Sequence, residues 1–289
     1  MTVCALILAH HKPRMLGRLV NRLKRAGIAS VIHIDAKIDE TPFRQSCEGT
    51  GATFVDKRVE VYWGGFSMVE ATANLAHAGL RDEGHTHFCH ISGDTYPIVS
   101  DEKLVSSLTE DLDFIDNYEA KPGGQAYKRI AHTFLPDTRI GALSHGMPHE
   151  ERYVTADVVA MFEDIARVHA VKAAGPFPWR YAKGANWWSL RRESLVACLG
   201  ILKDKPDFVD WFRYASNPDE SFFNSAALSF LDAAKCRPCP VLSVWNVVPA
   251  PYEFRSADDM HHFNNTRCVF ARKFSSEATD LLALLDAQG

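Results

Sequence analysis

The apolar run Val-Cys-Ala-Leu-Ile-Leu-Ala at Val3–Ala9 passes directly into the polar sequence His10-His11-Lys12-Pro13. A short apolar run bounded by turn residues is typical of a buried strand, and this one is too short to cross a bilayer. It also has neither the basic lead-in nor the cleavage site of a signal peptide. We therefore interpret it as the first strand of a sheet, with polar side chains following its carboxyl end.

Strand and helix patterns alternate through the first third of the chain. This alternation predicts an α/β fold with a largely parallel central sheet and right-handed crossover connections. The elements predicted after Val3–Ala9 are a helix around Met15–Ala26, strands at Ser30–Asp35, Thr53–Val55 and near Val59–Trp63, a helix at Met68–Arg81 and a strand over the apolar run His87–Ser92.

The middle of the chain is less regular. Lys121–Pro148, which includes Arg129 and Arg139, is punctuated by glycine and proline and has no clear helix or strand pattern. So long a loop in a compact domain is often functional. A helix is predicted at Ala156–Ala173. Because no linker or repeat divides the chain, we predict a single domain over residues 1–289.

Composition excludes several classes of protein. The 289 residues carry a net charge of −4 with a pI near 6.3, whereas nucleic-acid-binding proteins usually show a basic excess. No stretch approaches the length of a membrane span. The seven cysteines are odd in number and mostly lie in apolar runs, as expected of reduced thiols in a cytoplasm. Cys236-Arg237-Pro238-Cys239 has no second pair, so it does not predict a four-cysteine zinc site.

Polar side chains follow three of the predicted strands. His10 and His11 follow the first, Asp35 ends the second, and Asp94 follows His87–Ser92. Ligands of open parallel sheets bind beyond the carboxyl ends of the strands, so these residues are candidate ligand contacts. The alternative is that they are polar only because loops are solvated.

The common metal and phosphate motifs are absent from the sequence. There is no HExxH pair, no GxGxxG or GxxxxGK[ST] loop and no GxSxG elbow. Neither His85-Thr86-His87 nor His261-His262 has an obvious carboxylate at ligand spacing. Asp111-Leu112-Asp113 spells an acidic triplet, but it precedes Phe114-Ile115 instead of following a strand. The sequence therefore predicts no metal site.

The segment Asn217-Pro218-Asp219-Glu220 precedes an apolar helical run. Asn217 and Asp219 are suitable N-cap residues and Pro218 suits a first turn, so Glu220 is expected at a helix N-terminus, which would hold its carboxylate in place. One interpretation is that the two acids only complement the helix dipole. The other is that Glu220 carries the chemistry.

Aromatic and basic residues supply the remaining candidates. Exposed indole rings commonly stack on sugars, although tryptophan is more often a core residue. Phe270-Ala271-Arg272-Lys273-Phe274 places two cations between apolar residues; Lys273 could neutralise a phosphate leaving group or lie solvated beside a strand. The candidate tryptophans are Trp63, Trp187, Trp188 and Trp245.

Taken together, these segments resemble the core-2/I-branching glycosyltransferases (glycosyltransferase family 14), which include the peptide O-xylosyltransferases. The resemblance covers nearly the whole chain, and its segments follow the family's order. They are Leu8–Pro13, His33–Asp35, Val61–Ala71, Ile91–Ile98, Trp187–Glu193, Pro218–Glu220 and Phe270–Phe274.

The resemblance implies an inverting transferase of the GT-A type, with a Rossmann-like sheet and a UDP-sugar donor, most readily UDP-GlcNAc or UDP-xylose. It implies that Glu220 is the base that deprotonates a hydroxyl of a glycan, glycolipid or glycoside acceptor. Lys273, with Arg255 upstream, would bind the donor diphosphate. The remaining implied contacts are His10, His11, Asp35 and Trp63 for the nucleotide, and Asp94, Trp187, Trp188 and Trp245 for the donor and acceptor sugars.

The chain departs from the family pattern in three respects. Gly93-Asp94-Thr95 has one acid where typical GT-A enzymes have Asp-x-Asp; core-2 enzymes likewise use basic side chains, so no metal cofactor is expected. Val247 stands where animal members have a tyrosine two residues after the acceptor tryptophan, so the acceptor stays open. The anchor and disulfides of the animal enzymes are absent, which predicts a bacterial cytoplasmic protein with, at most, peripheral membrane contact.

Two other functions remain open at the level of sequence. One is a sugar- or UDP-binding protein that kept the fold and lost catalysis, against which the intact Glu220 and Lys273 argue. The other is a nucleotide-sugar pyrophosphorylase, which would need a glycine-rich basic loop where His10-His11-Lys12-Pro13 stands. No oligomeric state is predicted.

Overall fold

A computed structural model describes residues 1–135, 156–245 and 250–289. The helices are α1 (Pro13–Arg25), α2 (Thr41–Ser46), α3 (Ser67–Leu80), α4 (Asp101–Leu108), α5 (Lys128–Ala131), α6 (Ala156–Ala173), α7 (Arg192–Asp204), α8 (Pro206–Arg213), α9 (Phe222–Phe230) and α10 (Thr279–Asp286). The strands are β1 (Val3–Ala9), β2 (Ala29–Ile34), β3 (Thr53–Phe54), β4 (His87–Ser92), β5 (Tyr96–Pro97), β6 (Asp113–Phe114), β7 (Tyr118–Glu119), β8 (Ala182–Lys183), β9 (Trp188–Arg191), β10 (Cys236–Arg237), β11 (Val241–Ser243) and β12 (Phe270–Arg272).

The central sheet is mixed and mainly parallel, which confirms the predicted α/β class. Its strand order is β10-β6-β9-β4-β1-β2-β3, with β1 parallel to both β2 and β4, and with β9 antiparallel to β4. A second sheet has the order β11-β12-β5, and β7 pairs with β8. β5 directly follows the Asp94 turn, so the second sheet carries β12 to the edge of the first.

Helices cover both faces of the central sheet. Along β1, Leu6 packs in one core cluster with residues of α3, α7 and α9, while Ile7 packs in the other with residues of α1, α4 and α10. Successive residues of a strand point to opposite faces, so a strand covered on both sides is apolar throughout, as β1 is. Burying each valine, leucine or isoleucine side chain of β1 contributes about 1.5–3 kcal/mol.

Three predicted elements differ from the structure. Val59–Trp63 is not a strand, because the backbone N–H groups of Val59 and Val61 donate to the side chains of His33 and Asp35 instead of to a strand. The irregular segment after Lys121 contains the short helix α5, and its part from residue 136 on, with Arg139, lies outside the described residues.

The third difference is at the start of α9. Pro218–Glu220 is a separate 3₁₀ turn and α9 begins only at Phe222, so Glu220 precedes the helix. Asn217 adopts a left-handed conformation, with φ of 50°, and its side chain makes no capping hydrogen bond.

Candidate active site

The carboxyl ends of β1, β2 and β4 meet at one edge of the sheet. Leu8 pairs with Ser92, and Ala9 pairs with Ile34, so the loops that follow these strands are neighbours. The end of β12 joins them, because the backbone N–H of Phe274 donates to the carbonyl of Asp94 over 2.9 Å. Three segments thus bring His10, His11, Asp94 and Lys273 to one place.

Asp94 lies at the centre of this edge. It is 1% exposed, and its Oδ1 accepts a hydrogen bond of 2.6 Å from Ser92 Oγ. Arg272 Nη2 lies 3.8 Å from Oδ1, and His11 Nε2 lies 3.7 Å from Oδ2. Burial alone would raise the pKa of Asp94, but Arg272 and the Ser92 bond outweigh it and hold that pKa below its ordinary value. Asp94 is therefore a buried anion with one oxygen, Oδ2, that accepts no hydrogen bond from the described residues.

Arg272 is the cation that sequence reasoning missed. Its Nε donates to Ser92 Oγ over 3.1 Å, and its guanidinium carbon lies 4.6 Å from the centre of the Trp187 ring. Burial lowers the pKa of Arg272, while Asp94 and Glu220 act to raise it. Arg272 therefore lies within electrostatic range of both acids. The segment Phe270–Phe274 had already singled out two cations, but only Lys273 was assigned a role.

Lys273 is half-buried, and among the described residues no hydrogen bond or ion pair engages its Nζ. Burial and the neighbouring Arg272 lower the pKa of this lysine. Lys12, from the loop after β1, donates to Glu253 Oε1 over 2.6 Å and to the Phe274 carbonyl over 2.8 Å. The end of β12 is therefore a concentration of positive charge, with Lys273 available to a ligand.

The structure brings the backbone of Arg255 to this place, but not its side chain. Phe254 N–H donates to the Lys273 carbonyl over 2.8 Å, so Arg255 is close to Lys273 along paired backbones. Its guanidinium, however, is bound to Glu253 Oε2 at 2.9 Å, and the side chain is 73% exposed. As placed, Arg255 is a surface cation that would have to turn inward to reach a ligand.

The predicted nucleotide contacts flank Asp94 on the side of β2. The rings of His10 and His11 stack with centroids 4.3 Å apart, and burial lowers the pKa of both below the ordinary value of histidine. Asp35 is occupied within its own loop: Oδ1 accepts from the N–H groups of Lys37 and Val61, and Oδ2 accepts from Lys37 Nζ at 2.9 Å. A ligand that uses Asp35 must compete with Lys37.

Glu220 is held by both its backbone and its side chain. Its carbonyl accepts from Gly184 N–H over 2.9 Å, and the turn is tied to the loop before α3 by a bond from Asn217 N–H to the Gly64 carbonyl, also 2.9 Å. Oε2 accepts a hydrogen bond of 2.6 Å from Arg129 Nη1 and lies 4.0 Å from Lys183 Nζ. No described residue engages Oε1. Arg129 was noted only as part of an irregular segment, and only tertiary structure shows this contact.

Glycine is required at two of these turns. A Cβ on Gly184 would lie 2.3 Å from Asp116 Cβ, and a Cβ on Gly93 would lie 2.7 Å from Ala9 Cβ. The close approach at Gly93 lets the Asp94 turn pack on β1, and the one at Gly184 lets the loop that donates to the Glu220 carbonyl pack on Asp116.

The four candidate tryptophans separate into two pairs. Trp188 is 1% exposed, and its ring centroid lies 5.4 Å from that of Phe223, so it is a core residue. The expected contact of Trp188 with a sugar is therefore wrong. Trp187 is also buried, beneath the Arg272 guanidinium. Trp63 and Trp245 are 82% and 59% exposed and keep open ring faces. Trp63 immediately precedes Gly64, so it lies beside the Glu220 turn; Val247, two residues after Trp245, lies outside the described residues.

The acidic triplet Asp111-Leu112-Asp113 is structural. Asp113 is buried and accepts from Arg191 Nη2 and Ser194 Oγ, both at 2.7 Å, which ties β6 to β9 and α7. In the part of the chain that the structure describes, no three His, Cys, Asp or Glu side chains converge on a possible metal position.

Comparison with known proteins gives the family. The family model described as Core-2/I-Branching enzyme matches residues 6–236, so the chain belongs to the core-2/I-branching glycosyltransferases. The match includes Glu220 and Asp94 but ends before Arg272 and Lys273.

Solved structures give only distant similarities. HddC from Yersinia pseudotuberculosis is 17% identical over 44% of this chain and 67% of its own, with a TM-score of 0.28. Mouse xyloside xylosyltransferase 1 in its apo form is 11% identical over 93% of this chain and 96% of its own, with a TM-score of 0.38. Among curated proteins, no sequence matches this chain significantly. No helix within the described ranges is long and apolar enough to cross a membrane.

Proposed function

We propose that this protein is an inverting glycosyltransferase that moves a sugar, GlcNAc or xylose, from a UDP donor to an acceptor hydroxyl. The observation that supports this best is the placement of Arg272. The guanidinium of Arg272, whose side chain is 14% exposed, lies 3.8 Å from Asp94. It neighbours Lys273 and is within electrostatic range of Glu220. A displacement at an anomeric carbon needs a base to take the proton of the acceptor hydroxyl and positive charge to stabilise the leaving diphosphate, and this sheet edge offers both.

Glu220 is the proposed general base. Arg129 and Lys183 hold Oε2, which leaves Oε1 as the oxygen that takes the proton of the acceptor hydroxyl. A positioned base contributes about 10²–10⁴-fold to a rate. The hydroxyl oxygen forms the new bond to the anomeric carbon as the bond to the diphosphate breaks, which inverts the configuration at that carbon.

Arg272 and Lys273 are the proposed partners of the departing diphosphate, with Arg255 as a peripheral contact. Ser92 and the Trp187 ring fix the guanidinium of Arg272 before any ligand arrives, and a fixed planar fork suits two phosphate oxygens. Preorganised charges of this kind stabilise the leaving group as its negative charge develops. On this basis we propose that the reaction needs no metal.

The other substrate contacts follow from the same edge. Neutral His10 and His11 can exchange hydrogen bonds with the nucleotide beside Asp35, and Asp94 is the proposed contact of a donor-sugar hydroxyl. The exposed faces of Trp63 and Trp245 are the proposed stacking surfaces for sugars. The acceptor class is a glycan, glycolipid or glycoside. A cytoplasmic location is supported by the seven cysteines, all of which are free.

The proposal is tested by screening UDP-sugars for UDP release with and without an acceptor panel, in EDTA and in Mn²⁺. We expect release of UDP from UDP-GlcNAc or UDP-xylose that an acceptor stimulates and EDTA leaves unchanged. Binding of UDP without any turnover would favour a catalytically inactive binding protein. Consumption of pyrophosphate would instead identify a pyrophosphorylase, and a strict Mn²⁺ requirement would contradict the metal-free reaction.

A further inference from the structure

The proposed chemistry leaves one buried acid beside the base without a role. Asp219 lies on the same 3₁₀ turn as Glu220 and is 7% exposed. Its Oδ1 is inaccessible to solvent and has no hydrogen-bond partner among the described residues. Carboxylates are almost never buried in this way unless a cation or several donors satisfy them.

The charged groups around Asp219 do not supply that compensation. Glu220 adjoins it with a like charge, and Arg129, whose charge acts on Asp219, is already hydrogen-bonded to Glu220. The two helices packed on the turn are α3 and α9. α9 has no ionisable side chain over Phe222–Phe230, and α3 carries only Glu70 and His77.

Burial first, and then the charge of Glu220, raise the pKa of Asp219 to about 7, although the backbone N–H groups of Asp219 and Glu220 and the charge of Arg129 act to lower it. The carboxyl therefore holds its proton through the range in which an ordinary aspartate is ionised. A neutral acid at this position adds no repulsion to Glu220, which keeps the pair of Glu220 and Arg129 intact.

We propose that Asp219 is a positioning residue for the base: it stays protonated while Glu220 is ionised, and its own ionisation strengthens Glu220 as a proton acceptor. The inference rests on the proposed function, in that Glu220 is taken to be the base. A second negative charge next to Glu220 stabilises the protonated form of Glu220, which is the form produced when the acceptor hydroxyl gives up its proton. Through-space coupling of this kind predicts that kcat rises roughly tenfold as the pH increases through neutrality.

The decisive experiment is an NMR titration of the whole protein labelled with ¹³C at the Asp and Glu carboxyl carbons. We expect one Asp signal, absent from Asp219→Asn, to titrate near neutrality, and one Glu signal, absent from Glu220→Gln, to shift in the same pH range. Asp207→Asn, which removes an exposed acid at the start of α8, is the control and should leave both unchanged. If Asp219→Asn does not fold, the Asp signal that changes in Glu220→Gln identifies the pair.

Kinetics supply the second arm. The pH profile of kcat for wild type should show this rise, whereas Asp219→Asn should retain activity and lose the rise. The inference would be overturned, even in an active enzyme, if the Asp219 carboxyl is already ionised below pH 5 or if the Glu220 signal does not shift while Asp219 titrates. Because the NMR arm needs no turnover, failure of the transferase proposal is seen separately, as absence of UDP release.

Discussion

Replacing Arg272 by lysine separates the shape of this side chain from its charge. The lysine keeps a cation near Asp94, which matters because a buried carboxylate stripped of its partner destabilises a protein by about 3–5 kcal/mol. It loses the planar fork that Ser92 and Trp187 hold in place. Each lost hydrogen bond to a charged group costs about 1.5–3 kcal/mol, so the loss of one bond to the diphosphate should weaken UDP binding roughly 10- to 150-fold.

Calorimetry with UDP and with uridine provides the assay. Uridine has no diphosphate, so Arg272→Lys should bind it as wild type does. Arg255→Gln is the matched control: its side chain is 73% exposed and paired with Glu253, so its loss should weaken UDP binding no more than about fivefold. Equal losses for UDP and uridine, or a larger effect at Arg255, would refute the assignment of Arg272.

Three further outcomes follow from the same structure. Because the pKa of Asp219 is raised from 3.8 to about 7, its stabilising contribution is complete below pH 4 and is lost as the pH rises through 7. Relative to Asp219→Asn, the wild-type free energy of unfolding, measured in urea titrations, should therefore fall by about 4 kcal/mol between pH 4 and 8. A difference between the two proteins that does not change with pH would contradict this. Gly184→Ala forces a Cβ to within 2.3 Å of Asp116 Cβ and should displace the Glu220 turn, which lowers kcat at least tenfold. Acceptor-stimulated UDP release measures kcat, and a wild-type value would show that the turn tolerates the shift. Trp188→Ala should lower the free energy of unfolding by about 3–5 kcal/mol, because Trp188 is a core residue. Trp245→Ala should leave thermal unfolding unchanged and raise the acceptor KM, because Trp245 is exposed. A larger loss of stability from Trp245→Ala than from Trp188→Ala would contradict this.

The sheet could be predicted because its strands are buried on both faces. β1 is a continuous apolar run, and β4 is buried along its whole length although it contains two histidines and a serine. Polar residues come soon after each strand, where the chain leaves the core, so both the strands and their shared edge are visible in the sequence. Val59–Trp63 was also predicted as a strand, but it is not one, since side chains of His33 and Asp35 accept hydrogen bonds from the N–H groups of Val59 and Val61. Sequence alone does not distinguish these two ways of satisfying a backbone.

The site was predictable in its segments and less so in its side chains. Trp187 and Trp188 are adjacent in sequence, and only the packing around β9 shows that one lies under Arg272 and the other in the core. Arg129 reaches Glu220 from 91 positions away. The burial of Asp219 depends on α3 and α9 closing over a turn whose sequence suggested a simple helix cap. Each of these facts is a tertiary contact, which residue spacing does not encode.

The central claim is that Glu220 takes the proton of the acceptor. It is tested most directly by comparing acceptor-dependent UDP release by wild type and by Glu220→Gln at saturating donor. Glu83→Gln, at an exposed position near the amino ends of the strands, serves as the control. We predict a loss of about 10²–10⁴-fold in kcat with UDP affinity retained. A Glu220→Gln enzyme that turns over within threefold of wild type would contradict the account.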